Sequence, residues 1–235
     1  MGKYKRVLLK LSGEALAGPN KMGFDENTVR EVARQVKKAV VSDNVQVGVV
    51  IGGGNFWRGR TGNEIERTKA DQIGMLATVM ICIYVSEIFR TEGMDTAVMT
   101  PFAVGSMTEL FSKDKANEAF AGGKVVFFAG GTGHPYFSTD TGVALRAIEM
   151  EAEVILLAKN IDGVYDSDPR INPEAKKFDS LTIQEVIDRK LAVIDLTASI
   201  MCMENHISMA VFSLNEPDSI TNAMQGHING TFVYS

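Results

Sequence analysis

The chain has 235 residues, of which 45% are hydrophobic and 23% charged, a composition typical of globular proteins with a sizeable core. Its formal net charge of -5 excludes the strongly basic balance of general nucleic-acid binders, so we expect no nucleic-acid partner. The cysteines, Cys82 and Cys202, suggest neither a disulfide framework nor a zinc site, and a reducing cytoplasmic location is expected.

Nothing in the sequence predicts a targeting or membrane segment. Residues 3–6 are basic, but the apolar run after them is too short for a signal peptide. The apolar run at 73–85 is shorter than the roughly 20 residues that span a bilayer. We therefore expect no membrane partner.

Short apolar runs alternate with segments of helical spacing along the chain. The predicted strands are 7–9, 45–51, 96–100, 125–129, 154–158, 210–213 and 231–234. The predicted helices begin near Asp25 or at the capping box Thr28-x-x-Glu31 and, further on, cover 69–89, 113–121, 139–150, 182–190, 197–206 and 217–225.

This alternation predicts a three-layer α/β/α sandwich with a mostly parallel central sheet and allows an antiparallel patch near the C-terminus. No segment is long or polar enough to mark a boundary, so residues 1–235 are expected to form a single domain.

Four predicted strand ends carry glycine beside polar residues: 10–13, 52–55, 130–133 and 159–163. In open parallel sheets, ligands bind beyond the carboxyl ends of the strands. Glycine lets backbone N–H groups approach an anion, and a helix start behind the loop adds a favourable dipole. Each loop alone is more often a simple turn, but four together indicate a phosphate site.

The first loop, Lys10-Leu11-Ser12-Gly13-Glu14, places a lysine, a hydroxyl and a glycine where a strand ends. The chain lacks the G-x-x-x-x-G-K-[ST] loop, and Gly52-Gly53-Gly54 lacks the spacing of a dinucleotide fingerprint. The phosphate site is therefore of another design.

Further segments extend this pattern: Ile51-Gly52-Gly53-Gly54-Asn55 with Arg58-Gly59, Ala70-Asp71 with Gly74-Met75-Leu76-Ala77-Thr78, Gly131-Thr132-Gly133 with Thr139-Asp140, and Asp162-Gly163-Val164-Tyr165 with Asp168-Pro169. Together they resemble the bacterial UMP kinase family of the amino-acid kinase superfamily, in order and over essentially the whole chain. The loop at 132–140 is the most specific part. The resemblance implies the amino-acid kinase fold and transfer of the ATP γ-phosphoryl group to UMP, giving UDP and ADP in pyrimidine nucleotide synthesis.

The resemblance also implies a role for individual residues. The expected catalytic residues are Lys10, Arg58, Asp140 and Asp195. The expected ATP contacts are Lys10, Leu11, Ser12, Gly13, Gly54, Arg58, Lys159, Asn160, Tyr165 and Asp168. The expected UMP contacts are Gly53, Asp71, Thr132, Gly133, His134, Pro135, Tyr136, Phe137, Ser138 and Thr139. Asp140 would orient lysines with help from Asp195, and Mg²⁺ is expected to bind the ATP phosphates with few protein ligands and no dedicated protein metal site.

Simpler roles remain open for several of these residues. Asp140 and Asp71 could only complement helix N-termini, and Asp195 could only cap the helix at Thr197. Trp57 is expected to be a packing or subunit-contact residue, and the methionine-rich helix at 73–88 a core element or subunit interface.

The resemblance predicts a homohexamer and raises GTP and UTP as effectors. His134 stands where the family usually has asparagine, so its contact with uracil is open. The segment 84–90 has little of the basic character that proteobacterial members use to bind GTP, which leaves regulation by GTP open.

Two other functions are compatible with the same scaffold. One is a kinase that acts on a carboxylate or carbamate; the loop at 132–140 disfavours this alternative. The other is a nucleotide-binding storage or regulatory protein, which has no need to retain Lys10, Arg58, Asp140 and Asp195 together.

Overall fold

A computed structural model describes residues 3–18, 22–57 and 65–235. Its central sheet has the strand order β4-β3-β5-β2-β1-β6-β10-β11-β9, and β7 and β8 form a separate antiparallel pair. The strands are β1 (Arg6–Leu11), β2 (Gln46–Ile51), β3 (Thr96–Thr100), β4 (Glu109–Leu110), β5 (Val125–Phe128), β6 (Val154–Lys159), β7 (Val164–Tyr165), β8 (Lys177–Phe178), β9 (Ser180–Thr182), β10 (Ser208–Ser213) and β11 (Gly230–Tyr234).

Helices cover both faces of this sheet. They are α1 (Gly13–Leu16), α2 (Glu26–Asp43), α3 (Arg67–Thr91), α4 (Lys113–Ala121), α5 (Thr139–Glu149), α6 (Ile183–Asp188), α7 (Leu196–Glu204) and α8 (Ser219–Met224). One apolar core contains residues of α1, α2, α3 and α8, and the other contains residues of α4, α5, α6 and α7. The predicted three-layer α/β/α architecture is confirmed.

The sheet is parallel except where β10 pairs with β11, which confirms the antiparallel patch near the C-terminus. All predicted strands and helices are present, with ends shifted by a few residues. The strands β4, β7, β8 and β9 were not predicted. They are two or three residues long, too short for a period-two pattern to be read from the sequence.

Side-chain caps explain where the main helices begin. Asp25 accepts the Thr28 N–H at 2.8 Å and starts α2, so the helix begins at the first of its two predicted positions. Ser138 caps α5 through the N–H groups of Asp140 and Thr141, and Asp195 caps α7 through the Ala198 N–H. These caps satisfy donors that a helix start leaves unpaired.

Helix α3, expected to be a core element or a subunit interface, is buried on one side only. Ile73, Leu76 and Met80 are exposed, with relative accessibilities of 38%, 54% and 48%. Within the described ranges, α3 is also the one helix long and apolar enough to cross a membrane, with a mean hydropathy of 1.7 over an 18-residue window that is half buried. Its other side packs on β2, β3 and β5, as a core helix does.

Strand alternation fixes where two lysines emerge. Leu8 and Leu157 lie in the core on the α5 side, so Lys10 and Lys159, two residues further along β1 and β6, lie on the same face. The two strands are parallel neighbours, with Leu11 opposite Ala158. Both ammonium groups therefore reach the carboxyl end of the sheet beside the start of α5.

Candidate functional site

Residues at the carboxyl end of the sheet line two clefts. We call the first the Lys10 cleft; it measures about 900 Å³ and is lined by Lys10, Ser12, Glu14, residues 158–170, residues 189–193, Val211 and Ser213. We call the second the Asp71 cleft; it measures about 310 Å³ and is lined by Gly53, Gly54, Trp57, Ala70, Asp71, Gly74, Met75, Thr78, Gly131, Thr132, His134, Phe137, Ser138 and Thr139. Both volumes suit small-molecule ligands.

Three charged side chains interact beside the Lys10 cleft: Lys10, Lys159 and Asp140. Lys10 Nζ is paired with Asp140 Oδ1 at the first turn of α5, and both side chains are largely buried. Lys159 Nζ donates to the Val193 carbonyl. Burial, and then the positive charge of Lys10, lower the pKa of Lys159 to about 8, although the Asp140 carboxylate opposes the shift. The two lysines thus concentrate positive charge in one place, and the Asp140 carboxylate neutralises part of it.

Asp195 joins the starts of α5 and α7. Its carboxylate accepts the Ala198 N–H at 2.9 Å, the Thr141 hydroxyl at 3.1 Å and the Ser138 hydroxyl. It therefore caps α7, as the simpler alternative proposed, but it also fixes the helix start that carries Asp140. Its contacts with Ser138 and Thr141 connect it to the helix start that carries Asp140, and through Asp140 to Lys10.

The loop ends of β1 and β2 touch at a contact that only glycine allows. A Cβ atom on Gly13 would lie 2.2 Å from the Gly52 carbonyl oxygen and 2.4 Å from Asn55 Oδ1. Asn55 is buried and donates to the Gly23 carbonyl at 2.7 Å, which ties the loop before α2 to the same place. The glycines at 13 and 52 thus bring two of the four loops together.

The third loop is held against α3 and α5. The Gly130 N–H donates to Thr78 Oγ1 at 2.8 Å, and a Cβ on Gly142 would lie 3.1 Å from Gly131 Cα. Gly130, Gly131 and Gly133 all have positive φ, which glycine adopts without strain. This loop, which lines the Asp71 cleft, is therefore held by α3 on one side and by α5 on the other.

The outer part of the Lys10 cleft carries polar pairs. The Tyr165 hydroxyl donates to Asp162 Oδ1 at 2.8 Å, and Lys177 Nζ bonds Asp162 Oδ2 at 2.9 Å. The Lys177 hydrogen bond lowers the pKa of Asp162, and the Asp162 hydrogen bond raises the pKa of Tyr165. Asp168 is paired with the exposed Arg170 at 2.8 Å. A ligand that contacts Tyr165 or Asp168 here would therefore also meet their partners, Asp162 and Arg170.

The Asp71 cleft is closed on one side by the loop at 131–138. Asp71 Oδ2 accepts the Tyr136 N–H at 2.8 Å, and the Thr132 hydroxyl lies 3.3 Å from the backbone N and O atoms of His134. Trp57 packs on the start of α3 and donates its indole N–H to the Ala70 carbonyl at 2.8 Å. Trp57 therefore lines the cleft in a position fixed by the start of α3.

Most of the expected residues line one of these clefts; the lining does not include Gly13, Gly133, Pro135, Tyr136, Asp140 and Asp195, and four others need comment. Leu11 is fully buried, so only its backbone could serve a ligand. Gly54 was expected beside ATP but lines the Asp71 cleft with Gly53. The Ser138 hydroxyl is engaged with Asp195 and the start of α5. Arg58 lies outside the described residues.

Several contributors were not assigned from sequence. Thr141 supports Asp195, the Val193 carbonyl holds Lys159, Thr78 anchors Gly130, and Arg67 pairs with Asp71 at 2.7 Å. Thr78 stood in a recognised segment, which was the available signal. The contacts of Thr141 and Val193 join segments that are remote in sequence. The Arg67–Asp71 pair is one of several pairs that helical spacing allows.

The carboxylates near the two clefts can be compared with what the expected Mg²⁺ requires. In the ranges 3–18, 22–57 and 65–235, no group of three histidine, cysteine, aspartate or glutamate residues is arranged to hold a metal ion. Asp140, Asp162 and Asp168 are each paired with a cation. These residues fit an ion whose ligands come mainly from phosphate oxygens and water.

Comparison with known proteins places this geometry in a family. The family model described as the amino acid kinase family matches residues 5–213. The chain belongs to the amino acid kinase family. A UMP kinase structure from Bacillus anthracis matches with a TM-score of 0.93 and 33% identity over 98% of this chain and 96% of the other.

Two further structures extend the comparison. A UMP kinase from Ureaplasma parvum matches with a TM-score of 0.92 and 33% identity, covering 99% of this chain and 100% of that one. A uridylate kinase from Archaeoglobus fulgidus matches at 0.73 and 27% identity, covering 97% and 99%. The resemblance to bacterial UMP kinases and the amino-acid kinase fold, both predicted from sequence, are confirmed.

The contact of Ser138 with Asp195 predicts different effects for two helix caps. Ser138→Ala and Thr182→Ala each remove an N-cap hydroxyl, so each should lower the free energy of unfolding by about 1 kcal/mol. Only Ser138→Ala also disturbs the helix start that holds Asp140, and its kcat should fall roughly tenfold, while Thr182→Ala keeps normal turnover. Urea unfolding and steady-state kinetics measure both. Equal kcat values in the two variants would contradict a role for the Ser138–Asp195 contact in the site.

The depressed pKa of Lys159 predicts a pH dependence. Because its pKa is about 8, the side chain is charged below that pH and loses its charge above it. If the charge attracts an anionic ligand, kcat/KM for that ligand should fall as pH rises through about 8, since this ratio reports ionisations of the free enzyme. A Lys159→Gln variant should have a lower ratio at pH 7 and lack this descending limb. A limb that persists in the variant would assign the ionisation to another group.

Proposed function

We propose that the protein transfers the γ-phosphoryl group of ATP to UMP, giving ADP and UDP. The observation that carries the proposal is the Lys10–Asp140 pair, because Lys10 lines one ligand-sized cleft and Asp140 directly follows Thr139, which lines the other. Near-full-length similarity to two bacterial UMP kinases supports the same activity. UDP formation would place the protein in pyrimidine nucleotide synthesis.

We assign ATP to the larger Lys10 cleft and UMP to the Asp71 cleft. Ser12 and Lys159 lie beside Lys10 for the ATP phosphates, while Asn160 and Tyr165 stand further out on the nucleoside side. In the Asp71 cleft, the Asp71 carboxylate suits ribose hydroxyls and the loop at 132–139 suits uracil. Ser12 and Gly13 complete the phosphate loop, and Arg58 remains a predicted catalytic residue.

The chemistry requires charge neutralisation and alignment more than proton transfer. Two anionic phosphates must approach each other, and Lys10, Lys159 and backbone N–H groups offset their repulsion. The second pKa of a phosphomonoester is near 6, so the attacking UMP oxygen is already mostly ionised at neutral pH. Asp140 therefore orients Lys10 and needs no proton.

Mg²⁺ bound to the ATP phosphates would neutralise part of their charge and hold them in a reactive geometry. The chain's own contribution would be Lys10, held by its pairing with Asp140, and the neighbouring Lys159. The metal is thus assigned to the substrate complex.

An acceptor panel tests the activity and separates it from the two alternatives. ADP release is measured with ATP-Mg²⁺ and UMP, CMP, dTMP, aspartate, N-acetylglutamate or carbamate, and UMP should be the preferred acceptor. A Lys10→Ala variant should lose roughly 10²–10³-fold in kcat because it removes a charge that stabilises the transferring group. Lys124→Ala, an exposed lysine outside both clefts, is the matched control.

Preference for a carboxylate or carbamate would establish the other class of kinase. Nucleotide binding without turnover by any acceptor would indicate a storage or regulatory protein. Near-normal turnover in Lys10→Ala, with circular dichroism confirming the fold, would remove Lys10 from the mechanism.

We also propose a cytoplasmic homohexamer, with GTP and UTP as effectors to be tested. The exposed apolar face of α3 made by Ile73, Leu76 and Met80 supports assembly, since these side chains lie at helical spacing on one surface. Leu76→Glu should reduce the molar mass measured by size-exclusion chromatography with light scattering. Val41→Glu places the same charge at an exposed valine of α2 and should not. A monomeric wild-type protein would contradict this proposal.

A further inference from the structure

Asp71 takes donors from two different elements on a single oxygen. Its Oδ2 accepts Arg67 Nε at 2.7 Å from the same helix and the Tyr136 N–H at 2.8 Å from the loop across the cleft. A carboxylate oxygen offers about two lone-pair directions, so these donors fix the plane of the carboxylate. Asp71 is also one of the residues that line the cleft.

Arg67 also contacts the residue that supplies the second donor. Its guanidinium carbon lies 5.2 Å from the centre of the Tyr136 ring, within the range of a cation–π contact. Tyr136 has φ 73° and a relative accessibility of 64%. A bulky residue in the left-handed region of backbone space, with a mostly exposed ring, persists when its surroundings hold it.

An isolated Arg–Asp pair four residues apart on a helix would contribute little. This pair differs because Asp71 lines a cleft, with its side chain only 14% exposed, and because the same oxygen binds the loop. Arg67, Asp71 and Tyr136 therefore form one unit that connects the first turn of α3 to the loop at 131–138. Arg67 thus links these two parts of the cleft lining, because it contacts both Asp71 and Tyr136.

We propose that Arg67 is a positioning residue that sets the Asp71 carboxylate for the ribose hydroxyls of the acceptor nucleotide. Arg67 acts through Asp71 and Tyr136, without itself contacting the nucleotide. The inference rests on the proposed assignment of UMP to the Asp71 cleft. Its consequence is that Arg67 controls how strongly the enzyme distinguishes a ribonucleotide acceptor from the matching deoxyribonucleotide.

The test compares Arg67→Gln with Lys69→Gln. Lys69 lies two residues away on the same helix, is exposed and bonds Gln72, so its variant removes an equal charge without touching Asp71. For each variant, kcat and KM are measured with UMP, with dUMP and with ATP. In Arg67→Gln, KM for UMP should rise roughly tenfold, because a displaced Asp71 carboxylate loses its charge-assisted hydrogen bond to the ribose. The ratio of kcat/KM for UMP over dUMP should fall by a similar factor, while KM for ATP stays within about twofold and Lys69→Gln matches wild type.

Two further variants keep the outcome interpretable. Tyr136→Ala retains the N–H donor but lacks the ring, and it should lower the UMP-to-dUMP ratio by less than Arg67→Gln does. Arg67→Lys keeps the charge without the planar guanidinium, and it should restore the ratio only in part. Thermal unfolding of each variant identifies any that fail to fold.

An unchanged UMP-to-dUMP ratio in folded Arg67→Gln, or a lower KM for UMP, would overturn the inference while leaving the proposed function intact. Complete restoration by Arg67→Lys would reduce the effect to charge alone and overturn it as well. A wild-type protein that does not phosphorylate UMP overturns both the function and the inference.

Discussion

The site depends on keeping two lysines close together at the end of a buried sheet. Lys10 and Lys159 lie on neighbouring parallel strands and on the same face, and burial, followed by repulsion from Lys10, depresses the pKa of Lys159. Asp140 balances this repulsion from the start of α5. Two positive charges and one negative leave an excess of positive charge where phosphates would meet, a state that ligand anions would stabilise further.

Holding Asp140 in place requires contacts from remote parts of the chain. Ser138 caps α5, and Asp195 binds both Ser138 and Thr141 while capping α7. The Val193 carbonyl, two residues before Asp195, accepts from Lys159. The segment that lines the Lys10 cleft is thus connected to the helix that borders the Asp71 cleft, so a change on one side has a physical route to the other.

Much of this organisation follows from residue patterns. The alternation of apolar runs predicted the parallel sheet, and period-two alternation alone places Lys10 and Lys159 on one face once their strands are neighbours. The glycine-bearing loops identified the edge of the sheet where the clefts lie. Gly13 shows why such loops are informative, because its contact with the Gly52 carbonyl leaves no room for a side chain.

The remaining features depend on tertiary contacts that no local pattern encodes. The sequence offered both a catalytic and a capping role for Asp195, and the structure gives one carboxylate that caps one helix and braces another. The partnership of Arg67 with Tyr136 joins residues 69 positions apart through a backbone conformation that tyrosine rarely adopts. The exposed apolar face of α3 could not be predicted either, because the sequence pattern of an apolar helix is the same whether its second face contacts the core or another subunit.

We propose that the two clefts hold the donor and acceptor nucleotides and that their phosphates meet at Lys10. A bisubstrate analogue, adenosine and uridine joined through their 5′ oxygens by a polyphosphate chain, tests it most directly. Inhibition kinetics should show the analogue competing with ATP and also with UMP, because one molecule would occupy both clefts. Competition with only one nucleotide, or simultaneous binding of the analogue with either substrate, would contradict the account.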